Sequence, residues 1–167
     1  MPHKEDDHDD DHDDHDDDHE HDEFHLEIHR AVDELGKYAI EIEIEGTVRK
    51  ERIIKMIEET MHDATVRCME RGADMVGHTK SILECREGSI MSSLIDMNLP
   101  IKIKDGVSDG DVTDAKYILH VIVHGIWDDK VRECSLETVP AVFDRLGIKY
   151  KVIADYYDIE KSVAHHL

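Results

Sequence analysis

The first 22 residues most constrain what this chain can fold into, because they contain no apolar residue after Pro2. Runs of aspartate alternate there with single histidines. Such a segment buries too little apolar surface to offset the conformational entropy that is lost on ordering, and its like charges repel one another. We therefore expect residues 1–22 to form a disordered tail in the absence of metal, with the folded part of the chain beginning at residue 23.

The net charge of the chain is concentrated in this N-terminal region. Residues 1–29 hold fifteen acidic side chains and one lysine, which gives −14 of the total formal charge of −21 and leaves −7 for residues 30–167. A mildly acidic domain does not favour nucleic acid or an anionic membrane surface as a partner. We expect neither.

Potential metal ligands are unusually dense in the same region. Neutral imidazole is a common ligand of nickel, zinc, copper and cobalt, and histidine-rich tracts are typical of metal binding. In composition, these 29 residues resemble the His-rich arms of nickel-accessory and zinc-uptake proteins. We expect them to bind a divalent transition metal, nickel or zinc ahead of copper or cobalt. The predicted ligands are eight of the fourteen histidines: His3, His8, His12, His15, His19, His21, His25 and His29.

Residues 23–35 predict a short amphipathic helix, with Gly36 as its C-terminal stop and with His25 and His29 on its exposed side. Four apolar residues recur there at helical spacing: Phe24, Ile28, Val32 and Leu35.

The patterns that follow predict an α+β domain over residues 23–160 and a polar C-terminal tail over 161–167. The order β-α-β-β-β-α-β is expected to form a mostly antiparallel sheet with two helices on one face, a ferredoxin-like variant with an extra strand. Strands are expected at 38–45, 75–85, 89–97, 118–126 and 149–157, a loop at 104–115, and helices at 47–71 and 128–146. Ile101 and Ile103, flanked by lysines, suggest a further short edge strand at 101–103. The strand at 118–126 is the most apolar and is expected to be central.

Four features of the sequence bear on the expected helices. Thr47 is predicted to cap the first helix, and Gly72 and Gly147 are predicted to end the two helices. Pro140 could divide the second helix into two short ones. The first helix is expected to bury one stripe of residues: Ile53, Ile57, Met61, Ala64 and Cys68.

Histidines within the predicted strands form a second candidate metal site. His120 and His124 share one face of a strand but lie about 13 Å apart, and either could meet His78 across the sheet. Cys85 or Asp96 could join them. The alternative is that each histidine is a structural, hydrogen-bonded residue. The loop that begins at Asp105 lacks the ligands that an EF-hand needs at its third and twelfth positions, so calcium is not predicted.

No motif for a nucleophile, a phosphate-binding loop, a dinucleotide or a zinc protease occurs in the chain, so the sequence does not predict an enzyme. The three cysteines are odd in number and widely spaced, and no apolar run could cross a bilayer. These features favour a reduced cytoplasm.

The sequence thus predicts a metal-binding accessory protein that stores, buffers or delivers a transition metal, with a client metalloprotein and a second copy of the chain as candidate partners. The alternative is an enzyme or small-ligand-binding domain, centred on His78, His120 and His124, with a dispensable tail. A third hypothesis is a module that contacts another protein through an open sheet face.

Overall fold

The computed structural model describes residues 35–157, which belong to one compact unit. An antiparallel sheet of six strands carries two helices on one face, so the predicted α+β class is confirmed. The expected tails at 1–22 and 161–167 lie outside the described residues. The same holds for the expected helix at 23–35, except for its last residue.

The described chain contains eight strands and two helices. In chain order they are β1 (Leu35–Ile44), β2 (Val48–Arg49), α1 (Lys50–Glu70), β3 (Met75–Cys85), β4 (Gly88–Leu94), β5 (Lys102–Asp105), β6 (Asp111–Val112), β7 (Lys116–His124), α2 (Asp128–Arg145) and β8 (Tyr150–Asp155).

The main sheet has the order β5-β4-β3-β7-β1-β8, and every neighbouring pair is antiparallel. The prediction that the most apolar strand is central is confirmed, because β7 lies between β3 and β1. Since both of these strands are antiparallel to β7, they run parallel to each other and, with α1, form a split βαβ unit. The closer correspondence to a ferredoxin-like fold stays a prediction.

Alternation of apolar and polar residues places the core between the sheet and the helices. β1 buries Tyr38, Ile40, Ile42 and Ile44 on one face, and the predicted stripe of α1 is wholly buried against the sheet. Covering an aliphatic side chain of this size stabilises the fold by about 1.5–3 kcal/mol. The central strand β7 contributes four further buried side chains: Tyr117, Leu119, Val121 and Val123.

Glycine ends both helices, as predicted. Gly72 and Gly147 have φ values of +113° and +66°, in the left-handed region that glycine adopts readily. After α1, the Ala73 amide donates to the Cys68 carbonyl at 3.0 Å, and after α2 the Ile148 amide donates to the Phe143 carbonyl at 2.9 Å. These bonds satisfy carbonyl groups that the last turn of each helix would otherwise leave unpaired.

The predictions for the helix starts and for Pro140 need correction. Thr47 does not cap α1, because the chain first forms β2, which pairs with β6 inside the expected loop at 104–115. The helix begins at Lys50, after Arg49, whose side chain makes no capping hydrogen bond within the described residues. Pro140 lies inside one continuous α2, so two short helices are not formed.

Gly36 does not end a helix, because Leu35 and Gly36 are the first residues of β1. Their register partners are His124 and Val123 on β7. A Cβ atom at Gly36 would collide with the carbonyl oxygen of Ile126. The glycine therefore permits a close approach of two backbone segments, a role that the sequence pattern alone does not distinguish from a helix stop.

Candidate functional site

The sheet face opposite the helices holds a cleft of about 490 Å³ that spans β5, β4, β3 and β7. We call it the lysine cleft. Its apolar floor consists of Ile82, Met91 and Ile118. Its polar rim is formed by Lys80, Ser93, Lys102, Lys104 and His120.

Strand register explains why these residues meet. Ile82 of β3 pairs with Met91 of β4 on one side and with Ile118 of β7 on the other. The neighbouring row is polar and runs across the same four strands, in the order Lys102, Ser93, Lys80 and His120. With strands about 4.8 Å apart, this row spans about 14 Å.

His78 lies on the same face as the polar row, half-buried on β3. Its Nε2 atom is 3.1 Å from the hydroxyl oxygen of Ser93. The residue directly opposite His78 on β7 is Ile122, so neither His120 nor His124 lies directly opposite it, and His120 is a diagonal neighbour two positions along β7. The register is set by buried pairs on the helix-facing side, and it places Lys80 opposite His120.

His124 ends β7 and belongs to a different local environment. Its Nδ1 atom is 2.6 Å from a carboxylate oxygen of Asp74, and its carbonyl accepts the Asp74 amide at 3.0 Å. An imidazole held in this way fits the hydrogen-bonded alternative that the sequence left open.

The two further candidate ligands lie apart from each other. Cys85 ends β3 seven residues from His78, about 23 Å along the strand, and therefore does not join that histidine. Asp96 follows β4, and its carboxylate accepts the Asn98 amide at 2.8 Å.

Within residues 35–157, no group of three or more His, Cys, Asp or Glu side chains is placed to hold a metal ion. The eight histidines of the N-terminal region lie outside the described residues, so their assignment as ligands stays a prediction.

Burial and nearby positive charge both lower the pKa of the two histidines on this sheet face, His78 and His120. Partial burial, followed by the Lys80 ammonium group, lowers the pKa of His78 below its ordinary value. Burial also lowers the pKa of His120, with further contributions from Lys37, Lys80 and His78. Both rings are therefore neutral at pH 7, where each can donate one hydrogen bond and accept another.

The lysines of the cleft hold unneutralised positive charge. Among the residues that the structure describes, no carboxylate lies within ion-pair distance of Lys80, Lys102 or Lys104, and all three side chains are exposed. Two carboxylates border the floor. Glu41 pairs with Ile118 across the sheet and accepts a hydrogen bond from the Tyr156 hydroxyl at 2.9 Å, and Glu84 lies two positions after Ile82 on the same face of β3. The lysines therefore make the polar row and the outer end of the floor positive, and carboxylates lie beyond Ile118 and Ile82.

The sequence alone does not predict this cleft, because Lys102 and Lys104 belong to the predicted edge strand and Lys80 belongs to a different predicted strand. The available signal was the alternation Ile101-Lys102-Ile103-Lys104, which places both lysines on one face. Lys80 and His120 are far from it in sequence, and only the strand order and register bring them together.

Comparison with protein-family models, with curated proteins and with solved structures found no match to this chain. No helix among residues 35–157 is long and apolar enough to cross a membrane.

Proposed function

We propose that this protein is a metal-binding accessory protein that stores, buffers or delivers a divalent transition metal through its N-terminal His/Asp-rich region. The observation that carries the proposal is the presence of eight histidines and fifteen carboxylates within 29 residues. Imidazole nitrogen suits nickel, zinc, copper and cobalt, and carboxylates attract the cation and can complete its coordination shell. Nickel and zinc are the metals we favour.

The number of histidines limits the capacity for metal. If each ion takes two to four imidazole ligands, eight histidines hold roughly two to four ions. Several sites of modest affinity suit storage and exchange, and a client metalloprotein is the natural recipient of delivered metal.

We place this activity in the cytoplasm. The three cysteines, Cys68, Cys85 and Cys134, are free thiols. Free thiols are the usual state of cysteine in a reducing compartment.

The test uses the untagged full-length chain, because an affinity tag would add histidines. Metals bound after purification are measured by mass spectrometry, and nickel and zinc are then titrated into the metal-free protein by calorimetry. We expect several ions per chain. A variant with all eight N-terminal histidines changed to Gln should lose most of this capacity while keeping every carboxylate.

A matched control changes three histidines of the described domain, as His62→Gln, His78→Gln and His120→Gln. We expect the control to retain the wild-type capacity. Equal capacity in the eightfold variant and the wild type would overturn the proposal, as would loss of capacity in the control alone, which would move the ligands into the domain.

A further inference from the structure

The lysine cleft has the size and make-up of a small-molecule site. Its volume of about 490 Å³ lies within the range of roughly 300–1,000 Å³ that is typical of such sites. Ligand sites are usually lined by apolar side chains with a few polar groups that fix orientation. The cleft has both parts, on adjacent rows of the same sheet face.

The floor offers apolar surface that remains accessible. Met91 is 44% exposed, and Ile82 and Ile118 are half-buried on the neighbouring strands. Covering these side chains with an apolar group is favourable, and a methionine adapts readily to the shape of what covers it.

The polar rim of the cleft favours a ligand with negative charge. Lys80 and Lys102 lie in the polar row, and Lys104 lies beside Met91 at the outer end of the floor. The Ser93 hydroxyl and the neutral His120 ring add hydrogen-bonding groups to that row. Positive charge here is notable, because the whole chain has a formal net charge of −21.

We propose that the lysine cleft binds a small amphipathic carboxylic acid, whose apolar body covers Ile82, Met91 and Ile118 and whose carboxylate is held by the row that contains Lys80 and His120. Hydrogen bonds between ammonium groups and a carboxylate are stronger than those between neutral groups. This proposal does not rest on metal binding by the N-terminal region.

Other occupants fit the cleft less well. A metal ion is disfavoured by the three lysines. A second copy of the chain, seated with its own cleft against this one, would bring two sets of lysines together. Single-stranded nucleic acid is usually held by several aromatic side chains on which successive bases stack, whereas the cleft residues include no Phe, Tyr or Trp and one His, His120.

Octanoate is the probe for the test, with 1-octanol and octylammonium as neutral and cationic probes of the same chain length. Each is titrated below its micelle-forming concentration into the full-length chain in the presence of a metal chelator. We expect octanoate to bind at least about tenfold more tightly than either control, because one charge-assisted hydrogen bond suffices for such a ratio. Equal binding of all three probes, or no binding of octanoate, would overturn the proposal.

Paired variants locate the binding. Lys80→Gln/Lys104→Gln removes two charges from the cleft, whereas Lys55→Gln/Lys130→Gln removes two charges from exposed positions on α1 and α2. We expect the cleft variant to weaken octanoate binding about tenfold or more and to leave octanol binding unchanged. The helix variant should bind octanoate as the wild type does, and equal weakening in both variants would overturn the proposal.

The ring of His120 provides a spectroscopic readout. Burial and the neighbouring Lys37, Lys80 and His78 lower the pKa of His120 in the free protein. A bound carboxylate beside the ring favours its protonated form, so octanoate should raise this pKa. The pKa is measured from imidazole NMR signals. A ring that titrates identically with and without octanoate would place the carboxylate elsewhere and overturn the proposal.

Sedimentation completes the test. A dimer that octanoate dissociates would identify the cleft as a subunit interface instead.

Discussion

Thr65 of α1 and Thr79 of β3 share a hydrogen bond of 3.0 Å inside the core, where both side chains are fully buried. The hydroxyl of Thr65 also lies 2.8 Å from the Met61 carbonyl oxygen, to which it donates. A hydroxyl has one proton, so Thr65 must accept the proton of Thr79. The helix and the sheet are thus joined by a directed chain of two hydrogen bonds.

This direction predicts unequal effects of two similar substitutions. Thr65→Val leaves the buried Thr79 hydroxyl without its acceptor and should lower the free energy of unfolding by about 1–3 kcal/mol. Thr79→Val leaves Thr65 bonded to Met61 and should cost less than about 1 kcal/mol. Urea unfolding of both variants measures the difference, and a larger loss for Thr79→Val would show that the proton runs the other way.

Packing around the central strand predicts a large loss of stability when one of its buried side chains is shortened. Leu119 of β7 is fully buried, so Leu119→Ala should lower the free energy of unfolding by about 2–5 kcal/mol through lost burial and a residual cavity. Ile153 of the edge strand β8 is 38% exposed, and Ile153→Ala should cost about 0.5 kcal/mol or less. Thermal or urea unfolding measures both, and similar losses would contradict the central position of β7.

Acid stability should depend on Glu87 in the turn between β3 and β4. Its carboxylate accepts hydrogen bonds from the amide, at 3.0 Å, and the hydroxyl of Thr113, which lower its pKa to about 2 from an ordinary value of 4.5. Because the folded-state pKa is lowered, the stabilisation is fully present above pH 4.5 and is lost as the pH falls towards 2.

The variant Glu87→Gln tests this pH dependence of stability. It should be less stable than the wild type at pH 6, and the difference between the two proteins should shrink steadily between pH 4.5 and 2. Urea unfolding as a function of pH provides the measurement. A difference that is constant over this range would mean that ionisation of Glu87 does not contribute.

Proton competition should control metal retention under the proposed function. Free histidine titrates near pH 6.5, and a protonated imidazole cannot bind a metal ion. Protonating the eight N-terminal histidines would also change the formal charge of residues 1–29 from −14 to −6. We expect nickel or zinc to be bound at pH 8 and largely released by about pH 5.5, as measured by equilibrium dialysis. Retention at pH 5.5 would indicate ligands other than these histidines.

Local periodicity was sufficient to predict much of the fold. The buried stripe of α1, the glycine stops and the central strand each follow from spacing within one segment. Predictions failed where a distant segment decides the outcome. Thr47 could not cap α1 because β2 pairs with β6, and Gly36 lies in β1 because the backbone near Ile126 approaches it closely.

The candidate site was harder to predict for the same reason. Its lysines come from β3 and β5, and its single histidine comes from β7, so no window of the sequence contains the pattern. Register between the strands decides that Lys80 lies opposite His120 and that His78 lies opposite Ile122. Such register depends on the fit of buried pairs across the whole sheet.

The lysines of β5 also bear on how this sheet can associate. Among the strands of residues 35–157, β5 is outermost, and its outer backbone groups have no neighbouring strand there. Lys102 and Lys104 occupy alternate positions along it. A second copy adding edge to edge in an antiparallel, two-fold arrangement would bring two such lysine pairs together on one face. Charged residues on an edge strand hinder this kind of growth. The two side chains that we place at the rim of a ligand site therefore also protect the protein against aggregation by extension of its sheet.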